Sequence, residues 1–185
     1  QITNNCKALN DRVLNYARKQ QVNGIIFSAR WSYYIDGSYD GTGAQLIARS
    51  KDGPFTKENS IKAFNNSFLE TVKEYKENNI PIYLISQPPQ QTSSPETFYF
   101  RTTRGIGSIY DFSVTREKFE SLERIPVTTF KSFEDKINFF HIIDEFCDED
   151  KCLVGEVNKS FYYDDDHLST YGSMKLKGII EEILK

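Results

Sequence analysis

The segment Tyr162-Tyr163-Asp164-Asp165-Asp166-His167-Leu168-Ser169 places a carboxylate three residues ahead of one of only two histidines in the chain. At that spacing one short loop can hold Asp164 against one imidazole nitrogen of His167 and leave the other nitrogen free to move a proton. These are the acid and the base of a hydrolytic triad. The third member is not apparent, because Gly37-Ser38, Gly107-Ser108 and Gly172-Ser173 lack both an aspartate and a preceding strand. An acidic surface turn that caps a helix is the plainer account of an isolated Asp-x-x-His. Against it stands the setting: Phe161-Tyr162-Tyr163 lead into the loop, and Gly172 and a final helix follow it. Asp165 and Asp166 share the loop, but spacing alone gives them no chemical role.

The elements that would position this loop are legible as alternation. Leu9, Val13, Leu14 and Ala17 share one face of a helix over 5–19, stopped by Asn23-Gly24. Gly24 to Ala29 is short, apolar and β-branched, as expected of a strand buried on both faces of a parallel sheet. Ile61, Phe64, Phe68, Val72 and Tyr75 predict a helix over 60–76, and Ile80 to Ile85 a second buried strand. Helix then strand, twice over, predicts a doubly wound α/β sheet. Asp36 to Pro54 reads as a long loop with a short strand at 44–48, and 90–113 as loop or short irregular elements. Beyond these the pattern predicts a helix over 115–124, a strand over 127–130, a helix over 132–140 and a strand over 141–146. Leu176, Ile179, Ile180, Ile183 and Leu184 form a helical stripe at the end, with Ser169 or Thr170 as its cap.

Open α/β sheets bind ligands where loops converge at the carboxyl ends of their strands. Arg30-Trp31, Gln87-Pro88-Pro89 and the Asp164–His167 loop should meet at that edge. Arg30 suits an oxyanion or a polar substrate, and equally a structural ion pair. Trp31, Tyr33 and Tyr34 suit sugar stacking or packing under the long loop. His141, in an apolar run, reads as a core residue.

The 185 residues, 38% apolar and 14% aromatic, suffice for one core and one domain. A net charge of -3 without a basic stripe argues against a nucleic-acid binder. No apolar run approaches the ~20 residues of a membrane span. The chain begins at Gln1, without methionine or signal segment, and so reads as a mature product or a piece of a longer protein. Of three cysteines, Cys147 and Cys152 enclose a four-residue polar gap that suits a small disulfide loop or half a metal site. A metal site needs further thiols or histidines, and none are in view. A disulfide is favoured over reduced thiols, and it would imply an oxidising compartment. Cys6 is then left over, which suggests a partner elsewhere.

The chain resembles the SGNH (GDSL-like) esterases and acyltransferases, whose last motif is an Asp-x-x-His before the C-terminal helix. More narrowly, it is similar to the periplasmic SGNH domain fused to membrane acyltransferases of family three, which O-acylate bacterial surface polysaccharides. The resemblance rests on Ala29-Arg30-Trp31 at a strand end, a proline pair after a strand, and the cysteine pair ahead of Tyr163-Asp164-x-x-His167-Leu168-Ser169. It implies a three-layer α/β/α sandwich with a mostly parallel sheet, over 1–185 as a single domain whose N-terminal strand and nucleophile segment are missing.

The same resemblance makes Asp164 and His167 catalytic, with Arg30 and Trp31 as oxyanion or substrate-binding candidates. It implies an O-acetyltransferase acting on a polysaccharide such as lipopolysaccharide O-antigen, on the periplasmic side of the inner membrane. No metal or cofactor belongs to this domain; the acyl group would come from acyl-CoA through the chain's own membrane domain. Two departures stand out. The Gly-Asp-Ser motif that carries the family's nucleophile is absent, and so is the Gly-x-Asn-Asp block. A serine outside this chain explains the first, and these residues alone are then expected to have little turnover. The alternatives are a carbohydrate esterase of the same fold, and a carbohydrate-binding or scaffold module that lost the nucleophile.

Overall fold

The computed structural model describes residues 5–50 and 53–185, with side chains from residue 8 onward; the side chain of Cys6, and with it the question of its partner, lies outside the described ones. In chain order the elements are α1 (Asn5–Gln20), β1 (Ile25–Ser28), α2 (Lys57–Glu77), β2 (Ile82–Ile85), α3 (Pro95–Thr103), α4 (Ile109–Phe112), β3 (Val114–Thr115), α5 (Arg116–Lys131) and β4 (Asn138–Phe140). There follow α6 (Ile143–Phe146), β5 (Lys151–Cys152), β6 (Gly155–Glu156), β7 (Lys159–Ser160), α7 (Thr170–Ser173) and α8 (Lys177–Ile183). Among the described residues no helix is long and apolar enough to cross a membrane.

The chain forms two compact units. The first comprises 1–28, 33–85 and 128–139. Its sheet has the order β1-β2-β4, with β1 and β2 parallel and in register from Ile25↔Ile82 to Ser28↔Ile85. Helix α2 forms where the apolar spacing predicts it, and Thr56 caps it by accepting the N–H of Asn59. Its inner face buries Phe64, Phe68, Val72 and Tyr75. Phe68 packs against Phe130 with ring centroids 5.0 Å apart, and Phe130 against Phe139 at 5.4 Å. Strand β2 is buried as expected. Strand β1 is not, since Ile26 stays 44% exposed: β1 is an outer strand of this sheet. On α1, Leu9 and Val13 are likewise exposed, and among its described side chains Ala17 alone is buried.

The second unit comprises 29–32, 86–127 and 140–185. Phe98, Phe119, Ile142, Ile143, Phe146, Val154, Phe161 and Tyr162 form its core. Strands β3 and β5 pair antiparallel, as do β6 and β7. Cys147 and Cys152 are joined in a disulfide that closes the turn ahead of β5.

Four local expectations fail. The strand over 127–130 is the last part of α5, which continues through Pro126. Buried Phe119, Leu122, Glu123, Pro126, Thr129 and Phe130 recur at three- and four-residue intervals, so one helical face outweighs the β-branched run Val127-Thr128-Thr129. The helix over 132–140 is instead a turn followed by β4, and the strand over 141–146 contains the single-turn helix α6. No strand forms over 44–48. The final stripe lies on α8 with Leu176 at its start, and a 3-10 turn, Met174–Leu176, separates that helix from α7.

Candidate active site

The site lies within the second unit and is built on the end of β7. Ser160 Oγ bonds both the N–H of Tyr162 and its carbonyl, at 3.0 and 2.7 Å, fixing the strand as it leaves β7. Tyr162 then pairs antiparallel with Leu168, so the chain from 163 to 167 is a closed turn. Ser169, expected to cap the helix of the final stripe, caps the single turn α7 ahead of it through the N–H of Gly172, while its own Oγ–H donates to the Ser160 carbonyl at 2.7 Å. Gly172 is required here: a Cβ on it would stand 1.9 Å from the Phe161 carbonyl oxygen.

Inside the turn, Asp164 Oδ1 accepts the N–H groups of Asp166 and His167 at 3.0 and 2.7 Å. The same carboxylate meets the ring of its own loop, with His167 Nδ1 2.8 Å from Oδ2. Partial burial would raise this carboxyl's pKa, but the two N–H groups and the imidazole outweigh it and hold the value at about 2. His167 is shifted the other way, upward from its ordinary value, by the Asp164 hydrogen bond and the negative charges of Asp166 and Asp164. Its side chain is 76% exposed. Among the described residues no hydroxyl bonds its Nε2.

Asp166, which spacing left without a role, comes to the same nitrogen. Its Oδ1 is 2.9 Å from His167 Nδ1, and its Oδ2 is 2.5 Å from Arg30 Nη1. Burial raises the Asp166 pKa, with Arg30 opposing the shift. Arg30 is therefore brought to the loop as expected, through an ion pair with Asp166. Trp31 is half-buried at the head of a 3-10 turn, Trp31–Tyr34.

The residues after β2 supply the support. Gln87 Oε1 accepts the N–H of Ser32 at 2.7 Å, and its amide donates to Ser32 Oγ at 3.0 Å, tying the segment of Arg30 to that of the glutamines. The Gln91 N–H donates to the Asp165 carbonyl at 2.6 Å, and Gln90 Nε2 to the Asp165 carboxylate at 3.2 Å. Gln91 also holds β3 and β5 together: its Oε1 accepts the N–H of Val114, and its Nε2 donates to the Cys152 carbonyl. All three glutamines are buried. Sequence reasoning expected 87–89 at this edge but missed Ser32, Gln90, Gln91 and Asp166. The available signal was a run of polar amides placed directly after a buried strand, where nothing but a hydrogen-bonded network can pay for them. His141, read as core, is half-buried, with Nε2 2.7 Å from buried Glu123.

Asp164, Asp166 and His167 offer three ligand atoms within 4.8 Å of one another, enough to begin a metal site. In this structure those atoms are engaged with each other and with Arg30. The arrangement is better suited to proton transfer, since two carboxylates converge on Nδ1 and Nε2 faces outward from them.

A helix-flanked sheet of α/β type, with a carboxylate-imidazole loop just before the last helices, defines the SGNH class of fold. The chain matches the family model described as an SGNH domain fused to AT3 domains over residues 1–182, and belongs to that family. It also shares its fold with the lipopolysaccharide acetyltransferase periplasmic domain of Salmonella ser. Paratyphi A, at 18% identity and a TM-score of 0.63. That alignment covers 96% of this chain and 63% of the Salmonella chain, so this chain spans less than two thirds of that relative. No curated protein matches it.

Proposed function

We propose that this domain serves O-acyl transfer to a hydroxyl of a bacterial surface polysaccharide, on the extracytoplasmic side of the membrane. The observation that carries the reading is the His167 ring, held at Nδ1 by Asp164 with Nε2 left to work. His167 takes the proton of a serine hydroxyl as that oxygen bonds to the acyl carbon, and the imidazolium passes it to the donor's leaving group as that group departs, which leaves the ring neutral again. A sugar hydroxyl then gives its proton to Nε2 and attacks the ester, and the serine oxygen leaves with a proton returned by the imidazolium. Asp164 keeps the proton on Nδ1 and stabilises the cation throughout. Asp166 adds a second negative charge, and Arg30 holds Asp166 in place.

The serine belongs to residues other than these 185. The acyl group is acetyl, delivered from acyl-CoA by the membrane acyltransferase part of the same polypeptide, and this domain uses no metal or cofactor. The fusion described for the family supports the first partner, and the disulfide Cys147–Cys152 supports an oxidising compartment. The test uses full-length protein, radiolabelled acetyl-CoA and surface polysaccharide from the encoding bacterium, stripped of esters by mild alkali. Label should reach the polysaccharide with the wild type and not with His167→Ala. Equal labelling by both proteins contradicts the reading.

A further inference from the structure

Tyr162 and Tyr163 are identical neighbours with opposite environments, 1% and 81% exposed. Tyr162 is bridged to Leu168 and buried, whereas Tyr163 opens the turn that follows. Tyr162 lies opposite Leu168, and the rung is framed by two bonds, from the Tyr163 N–H to the His167 carbonyl at 2.8 Å and from the Ser169 N–H to the Phe161 carbonyl at 2.9 Å. Beyond that rung the ladder ends, and Tyr163 and His167 are joined by this one backbone bond at the mouth of the turn. The second bond of this pair is replaced, because the His167 N–H turns to Asp164 Oδ1. The turn that orients the imidazole thus also joins the Tyr163 backbone to that of His167, with both side chains open to solvent.

This ring is not part of the packing. Tyr163 is the most exposed large apolar side chain among those described, on a turn whose other residues are three acids and His167, and exposing it to water brings the fold no stability. At the other end of this turn, Nδ1 of His167 is occupied by Asp164 and Asp166, so the atom that works on a substrate is Nε2. An aromatic surface beside a proton-accepting nitrogen matches a pyranose. One side of such a sugar is lined with C–H groups that pack on a ring, while its hydroxyls project from the rim.

We infer that Tyr163 is the platform on which the acceptor sugar stacks, bringing one of its hydroxyls to His167 Nε2. The inference rests on the acyl-transfer reading and adds to it a residue that selects sugar over water. Water needs no platform, so an exposed base without one hydrolyses the acyl group; the Tyr163 ring biases the same base toward transfer.

The experiment measures, in full-length protein with radiolabelled acetyl-CoA, the ratio of acetyl transferred to alkali-stripped polysaccharide over acetate released. Tyr163→Ala and Tyr163→Leu should lower the ratio about tenfold, the upper end expected for loss of an aromatic contact. Tyr163→Phe and Tyr163→Trp should restore it, and the acceptor KM should rise in the first pair rather than in the second. A wild-type ratio in Tyr163→Ala overturns the platform. So does loss of both transfer and release in Ala and Leu alike, because the side chain would then be holding the loop. His167→Ala run alongside separates the two claims: transfer that survives it refutes acyl transfer by this loop, whereas a normal ratio in Tyr163→Ala refutes the platform alone.

Discussion

Replacing Asp164 and Asp166 separately by asparagine tests how the loop divides its work. Asp164 is aligned for a hydrogen bond with His167 Nδ1 at 2.8 Å, and it also accepts two backbone N–H groups. Asparagine keeps an oxygen for the backbone but no longer holds the ring as a carboxylate does. In the Ser-His-Asp template that change costs about four orders of magnitude in kcat. Asp166 acts mainly through charge, 2.9 Å from the same nitrogen. With the imidazole 76% exposed, a water-like dielectric applies, and one charge at that distance is worth about 1.4 kcal/mol, or roughly tenfold in rate. The Arg30 cation on the other oxygen reduces this further.

Acetyl transfer by the full-length protein should therefore fall by roughly two to four orders of magnitude in Asp164→Asn, and by about tenfold or less in Asp166→Asn. The double variant should lose more than the two single losses predict, because Asp166 is close enough to take over the ring when Asp164 cannot. The assay belongs at about pH 8.5, two pH units above the ordinary histidine value of about 6.5. Asp166→Asn as damaging as Asp164→Asn, or a double variant no worse than Asp164→Asn, would refute this division.

The pH profile of transfer should show an acid limb set by His167, with a midpoint above 6.5, since the neutral ring is the base and its pKa is raised; Asp164, at about 2, stays ionised throughout. For stability the same shifts act in opposite senses. The His167 contribution is complete below 6.5 and fades as pH rises through its folded value, while that of Asp164 is complete above 3.8 and fades as pH falls toward about 2. Gly172→Ala should cost about 3 kcal/mol or more in urea unfolding, because its Cβ meets the Phe161 carbonyl and α7 must move away. Gln91→Leu should cost roughly 2–4 kcal/mol in the same measurement, leaving the Val114 N–H and Cys152 carbonyl unpaired in the core.

What the sequence disclosed was local. Asp164 and His167 lie three residues apart, so one Asx-type turn explains both their types and their contact, and spacing was enough. Helix α2 and strand β2 follow from periodicity because each buries one clean pattern. Arg30 and Asp166 are 136 positions apart along the chain, and their ion pair exists only through the tertiary fold. Gln91 likewise makes bonds that no window of sequence contains. The run from 127 to 130 misled for a physical reason: β-branched residues were weighed locally, whereas the burial face that decides α5 begins at Phe119.

The proposed acyl transfer turns on His167 as the base. Its most direct measurement is the O-acetyl content, by proton NMR, of surface polysaccharide from cells lacking the chromosomal gene and supplied with wild-type or His167→Ala full-length protein at matched levels. The geometry predicts acetyl signals with the wild type and none above the gene-deleted background with His167→Ala. Full acetylation by the variant would contradict it.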